Sequence, residues 1–208
     1  MNVVFDFGAV LFTWRPIEIV SEAFPSRARS PVEAKRLAHA MFSHEDWHDY
    51  DRGLLEMDAV VDRLSSRLEL DHRAVQTLVQ HIGECLVPMA ETIAVLQSLQ
   101  ARRQKNEGVR GLYFLSNMPR PYARELEQKH AFLQSFDGGI FSGDVLLSKP
   151  QPDIYQLLQS RYHLEPERTV FIDDLQGNVE AAMELGWKGI HFTSAAQLTD
   201  ELRLQCGL

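Results

Sequence analysis

Several short stretches of the chain end in residues able to do chemistry on an anion. Asn2 to Asp6 ends in a carboxylate, Gly111 to Ser116 in a hydroxyl, and Thr169 to Asp173 in a carboxylate with a second, Asp174, directly behind it. Lys149 follows a further such stretch, Gly139 to Phe141, and lies in the loop before the next helical segment. Carboxylates grouped in this way hold a hard divalent cation such as magnesium, while an ammonium and a hydroxyl complement a phosphate. Each residue alone has an ordinary explanation, because a strand-terminal Asp or Ser often caps the next helix and a lone lysine is usually solvated. Their occurrence at successive strand ends argues instead for one shared site.

The elements that must position them are legible from patterning. The stretches named above, with Gly189 to Phe192, are short β-branched or aromatic runs that stop at polar or glycine residues, as buried strands do. Helix-period segments separate the later ones: Pro121 to His130, Pro152 to Tyr162 and Asn178 to Leu185. Alternating strands and helices predict an α/β fold with a doubly wound parallel sheet, whose ligands sit beyond the carboxyl ends of its strands. Arg15 to Pro88 breaks the alternation. It carries amphipathic helical stretches over Pro31 to Phe42, Met57 to Glu69 and His72 to Cys85, with Gly53 as a turn, and no strand. The expectation is a core domain of residues 1–14 and 89–208, with a helical-bundle cap domain, 15–88, inserted after the first strand. Pro88 then precedes a long helix, Ala90 to Gln104, and the basic run Arg102 to Lys105 reads as that helix's C-terminal end before Gly108.

Bulk composition narrows the partners. The 208 residues are 45% hydrophobic and 24% charged, ordinary values for a packed globular chain. A formal charge of −8 excludes a non-specific nucleic-acid binder and a basic membrane-surface protein, but not a small phosphorylated substrate met by local magnesium and lysine. No apolar run approaches the roughly 20 residues of a membrane span. The opening Met1 to Asp6 has no basic region and reaches a carboxylate too early for a secretory signal, and Cys85 and Cys206 match no metal pattern. A cytoplasmic protein is expected.

Four motifs carry a resemblance to the haloacid dehalogenase-like hydrolase superfamily: Val3-Val4-Phe5-Asp6-Phe7-Gly8-Ala9-Val10-Leu11, Leu112 to Asn117, Ser148-Lys149-Pro150, and Val170-Phe171-Ile172-Asp173-Asp174 followed by Asn178. The resemblance implies a phosphatase in which Asp6 attacks the phosphoryl group and forms an aspartyl-phosphate that water hydrolyses. It also implies that Lys149, Ser116 and the Asn117 backbone amide hold the phosphate oxygens, with Phe7 and Gly8 contributing to the substrate site. Magnesium would bind Asp6, the Gly8 carbonyl and Asp174, with Asp173 and Asn178 behind them; on sequence the two adjacent aspartates can exchange these roles.

One position departs from the family pattern. Most phosphatases of the superfamily carry a second aspartate two residues after the nucleophile as general acid and base, and here that residue is Gly8. A missing acid/base typically forfeits about 10²- to 10⁴-fold in rate. The Asp-x-Gly motif resembles a branch that includes α-D-glucose-1-phosphate phosphatases, whose leaving groups need little protonation. Alternatively, an acid arrives from the cap, where His44 to Asp51 is dense in titratable groups, although a solvated helix with Trp47 packed inward explains that segment more simply. A 2-haloacid dehalogenase needs no proton for its halide, but such enzymes lack the metal carboxylates kept here. A non-catalytic binding module would have no use for Asp6, Ser116, Lys149 and Asp174 together. Trp14 and Arg15 suit either a hinge or an anion contact, Pro16 suits the start of the first cap helix, and Cys85 is expected to be buried.

Overall fold

The computed structural model describes all residues, 1–208. Strands β1 (Asn2–Phe5), β2 (Gly111–Ser116), β3 (Gly138–Phe141), β4 (Thr169–Asp173) and β5 (Lys188–His191) form one parallel sheet in the order β3-β2-β1-β4-β5. The chain runs outward from β1 through β2 to β3, then returns to the other side of β1 for β4 and β5. That reversal puts a crevice at the carboxyl end of β1, where open α/β sheets bind ligands.

Strand pleating sends successive side chains to opposite faces, and both faces are apolar. Val3, Phe5, Leu112, Val170 and Ile172 belong to one buried cluster, while Val4, Leu115 and Phe171 belong to another. The second is covered by α9 (Pro152–Tyr162) and α10 (Gln176–Glu184) through Tyr155, Leu158 and Ala182. The first is joined by Leu96 and Leu99 of α6 (Ala90–Gln104), Tyr122 and Leu126 of α7 (Arg120–Lys129), and Leu198 and Leu202 of α11 (Ala195–Cys206).

Five helices occupy the interval between β1 and α6: α1 (Pro16–Ala23), α2 (Pro31–Phe42), α3 (Glu45–Asp51), α4 (Met57–Leu68) and α5 (His72–Cys85). Proline opens α1 and α2, where its missing N–H leaves no bond unmade, and Ser30 caps α2 by accepting from Glu33 N. Entry and exit are pinned together, because Thr13 N donates to Val87 O at 2.8 Å and Met89 N to Leu11 O at 2.8 Å. A last short helix, α8 (Ser142–Val145), follows β3 directly.

Differences from the sequence reading are local. Helix α4 stops at Leu68 because Glu69 turns left-handed (φ 51°), and α7 starts at Arg120, with Pro121 accommodated in its first turn. Helix α11 was not anticipated; Ser194 caps it by accepting from Gln197 N. Cys85 is exposed rather than buried, since it ends α5 on the solvent side, where its thiol donates to His81 O at 3.7 Å. No helix is long and apolar enough to cross a membrane.

Candidate active site

The polar strand ends converge as the topology requires. Asp6 follows β1 and its N–H continues the sheet ladder to Ile172 O at 2.9 Å, so the residue is fixed by the strand before it. Lys149 is 4% exposed, and its Nζ lies 2.8 Å from Asp6 Oδ1 and 2.6 Å from Asp173 Oδ2. The loop carrying Lys149 is fixed to the end of β2 by a reciprocal pair: Asn117 Nδ2 donates to Lys149 O and Lys149 N donates to Asn117 Oδ1, both at 2.9 Å. The Asn117 side chain therefore positions the lysine.

Asp173 is fully buried and its carboxylate is saturated. Besides Lys149, it accepts from Asn178 Nδ2 at 3.0 Å on both oxygens and from Leu175 N at 2.8 Å. Asp174, one residue further, accepts no hydrogen bond from another residue on its carboxylate and forms no ion pair; its backbone carbonyl contacts His191 Nε2 at 2.9 Å. Carboxylate oxygens of Asp6, Asp173 and Asp174 lie within 4.8 Å of one another. Such a cluster of hard oxygen donors fits a divalent cation, and the geometry leaves Asp174 open to it while Asp173 is engaged elsewhere.

Charge crowding is visible in the protonation energetics. Burial pushes the Asp6 carboxyl up to about 7, with Lys149 opposing and Asp173 adding to the rise. Burial and then Asp173 push Asp174 up to about 6. Burial works to lower the Lys149 pKa, but the Asp173 and Asp6 carboxylates outweigh it and hold the ammonium above its ordinary value. The site thus holds one buried cation among three carboxylates, an excess of negative charge that a bound cation would relieve.

A cavity of about 450 Å³ opens over these groups, lined by Asp6, Gly8, Ser116, Asn117, Lys149 and Asp174 at its floor. The helical insertion supplies its opposite wall, where Ala38, Phe42, Trp47, Ile82 and Leu86 are all buried. Lys35, His39 and His48 sit at its exposed rim. Trp14 lines the cavity and packs edge-on against Phe42, ring centroids 5.1 Å apart. Arg15 points elsewhere, pairing with Glu18 in solvent at 3.2 Å. Phe7 contributes no side chain to the cavity. Its ring is fully buried against Phe12, Phe114 and Phe141, which restricts any role at the site to its backbone.

Residues 2–186 match the family model described as haloacid dehalogenase-like hydrolase. The chain belongs to the haloacid dehalogenase-like hydrolase family. It is 29% identical over 204 residues to a sesquiterpene phosphatase of Aspergillus oryzae, covering 98% of this chain and 95% of the relative. Its fold is that of a haloacid dehalogenase family enzyme of Bacteroides thetaiotaomicron solved with magnesium and inorganic phosphate (TM-score 0.66, 20% identity, 92% of this chain and 93% of the other). It is equally that of an L-2-haloacid dehalogenase of Xanthobacter autotrophicus (TM-score 0.65, 20% identity, 97% and 81%).

Two residues that sequence reasoning did not single out bear on this site, one of them from behind it. Ser142 is fully buried; its hydroxyl accepts from Met118 N at 2.8 Å and donates to Asp51 O at 2.5 Å. It follows the last residue of β3, so the strand-end rule that found Asp6 also points to it. Asp51, the last residue of the titratable stretch His44 to Asp51, also lines the cavity, close enough to Asp6 to feel its charge.

Proposed function

We propose that this protein is a magnesium-dependent phosphatase that passes the phosphoryl group of a small phosphorylated metabolite first to Asp6 and then to water. The observation that carries this reading is the free carboxylate of Asp174 beside Asp6 and Lys149. A dehalogenase has no use for a further unpaired carboxylate there, whereas a phosphatase needs a cation ligand. Asp6, Asp174 and the Gly8 carbonyl would hold magnesium, which would neutralise charge on the phosphate and on the attacking carboxylate. Lys149, Ser116 and the Asn117 amide would hold the phosphate oxygens, and Asp173 with Asn178 would keep Lys149 aimed. In this reading residues 15–88 act as a cap over a core of 1–14 and 89–208, and cap closure excludes water.

The inner wall of the cavity favours an alcohol with an apolar body. Ala38, Phe42, Ile82 and Leu86 offer contact surface but no side-chain hydrogen-bond partner, and Trp47 adds a broad apolar ring with a single N–H donor, few partners for the several hydroxyls of a sugar. The name of the Aspergillus oryzae relative, a sesquiterpene phosphatase, agrees with that preference. A sugar 1-phosphate, suggested by the Asp-x-Gly motif, is the competing substrate class. The two free cysteines accord with a cytoplasmic setting.

Phosphate release from isoprenoid-alcohol monophosphates, sugar phosphates, nucleotides and an aryl phosphate, with magnesium or with chelator, tests the reading. Release is expected with magnesium only, greatest for the apolar alcohols, and lost in Asp6→Asn; activity persisting in that variant refutes the nucleophile. Halide release from 2-chloropropionate in chelator would instead identify a dehalogenase.

A further inference from the structure

With Gly8 two residues after Asp6, and Asp174 given to magnesium in the phosphatase reading, the floor of the site keeps no further carboxyl to give a proton to a leaving alcohol. Gly8 is not there for lack of space, since a Cβ on it would come no nearer than 3.8 Å to Trp14 Cβ. A proton donor must then come from the opposite wall.

The structure sorts the titratable stretch of α3 residue by residue. Asp46 is paired with His44, Arg63 and Arg67, and Asp49 with Arg52. Glu45 is exposed and lines no part of the cavity, and His48 lies at the exposed rim. Across the cavity the Tyr122 hydroxyl is committed to Val79 O at 2.6 Å. Asp51 alone lines the cavity from this stretch with a carboxyl that makes no hydrogen bond and no ion pair.

The core also fixes Asp51 in place. Ser142 donates to its backbone carbonyl at 2.5 Å, and two residues later Gly53 passes so close to the core that a Cβ would meet Gly143 O at 2.6 Å. Gly53 has φ +75°, so a glycine is required there on both counts. A turn held this tightly at two points delivers the Asp51 side chain to a set position over the site. Helix α3 ends there, packed against α8, which follows β3.

Accepting the phosphatase reading above, we infer that Asp51 is the general acid and base of the reaction, in place of the carboxyl missing at position 8. As an Asp6 oxygen bonds to phosphorus, the bond from phosphorus to the leaving oxygen breaks, its electron pair stays on that oxygen, and the Asp51 proton completes the alcohol. Asp51, now a carboxylate, takes a proton from water as the water oxygen bonds to phosphorus. The bond from phosphorus to Asp6 breaks, its electron pair returns to the Asp6 carboxylate, and inorganic phosphate leaves with Asp51 protonated again. Burial first, and then the nearby charge of Asp6, push the Asp51 carboxyl well above the usual range, only partly offset by Lys149, which suits a group that begins the cycle protonated.

The test compares wild type, Asp51→Asn and Asp51→Glu on alkyl and substituted aryl phosphates in saturating magnesium. In Asp51→Asn, kcat/KM should fall roughly 10²- to 10⁴-fold for alkyl phosphates and far less for aryl phosphates with acidic phenols, steepening its dependence on leaving-group pKa. The acidic aryl phosphates should give a burst of phenolate followed by slow turnover, because water attack has lost its base. Asp51→Glu should recover part of the alkyl rate. An equal loss on every substrate, or no loss, overturns the inference. Should Asp51→Asn fail to melt cooperatively, Asp51→Ala with added formate is the second arm: rescue by formate supports the assignment, and a folded variant that formate does not rescue refutes it. If wild type releases no phosphate from any substrate, the phosphatase reading itself falls; an active wild type with a leaving-group-independent Asp51→Asn defect removes only the role of Asp51.

Discussion

Lys149 Nζ stands 2.8 Å from Asp6 Oδ1, an ion pair in which the cation is almost completely withdrawn from water. The same ammonium is the only cation paired with the saturated carboxylate of Asp173. It therefore serves the stability of the fold and the ionisation of Asp6 together.

Lys149→Ala should abolish phosphatase activity and lower stability. Asp173 would be left buried with no cation, and removing one partner of a buried pair costs about 3–5 kcal/mol. Asp6 would hold its proton more firmly and attack less well. Thermal melting and phosphate release measured side by side would check both, and unchanged melting would contradict the stability claim.

Asp173 and Asp174 should separate in their effects although they are adjacent. Asp174→Asn removes a free carboxylate, so magnesium affinity should fall at least about tenfold while the metal-free melting temperature holds or rises. Asp173→Asn removes the charge that pairs with Lys149 and sets an NH2 donor where one carboxylate oxygen accepted, so it should lower the melting temperature, with or without metal. Calorimetric magnesium titration and melting curves distinguish the two; identical profiles would overturn the division of roles.

In chelator, stability should fall as pH rises toward neutrality because of this cluster. Asp6 at about 7 and Asp174 at about 6 both lie above the unfolded value of 3.8, so the folded chain binds their protons more tightly than the unfolded chain. Their stabilising contribution is full below 3.8 and is lost as pH passes through about 6 to 7. The melting temperature of wild type minus that of Asp6→Asn, followed from about pH 4 to about pH 8, isolates the effect from other carboxylates, and magnesium should flatten it. A difference that grows with pH would show the sign to be wrong.

Gly8→Asp should fold with magnesium present, because a Cβ there makes only ordinary contact with Trp14 Cβ at 3.8 Å, and should bring a further carboxyl to the floor of the site. Added to Asp51→Asn, it should restore alkyl-phosphate turnover by about tenfold or more, since the lost acid is worth roughly 10²- to 10⁴-fold. The double variant remaining as slow as Asp51→Asn would mean that the two positions are not interchangeable.

Much of this was legible in the sequence because local chemistry and global fold agree. Asp6, Ser116 and Asp173 sit at the ends of unmistakable apolar strands, and a parallel sheet brings all strand ends to one edge. The order of the two aspartates was not legible. It depends on pleating, which turns Asp173 inward to Lys149 and leaves Asp174 beyond the strand, a one-residue matter of register. The meeting of Asp51 with Ser142 was hidden for a different reason: the residues lie 91 positions apart, and their contact depends on how the insertion folds back over β3. Helix α11 carries local signals, the capping Ser194 with Gln197 three residues later and the apolar Leu198 and Leu202, that lie outside the pattern of strand ends.

The short ladder joining Leu11 and Thr13 to Val87 and Met89 also bears on how such a protein can change over generations. Because the two ends of the insertion are bonded to each other, lengthening or shortening the chain between them leaves the sheet in register, and each doubling of a flexible loop costs only about 0.6 kcal/mol. Changes in substrate preference can therefore accumulate there by insertion, deletion and drift, while the spacing of Asp6, Lys149 and Asp174 is inherited untouched.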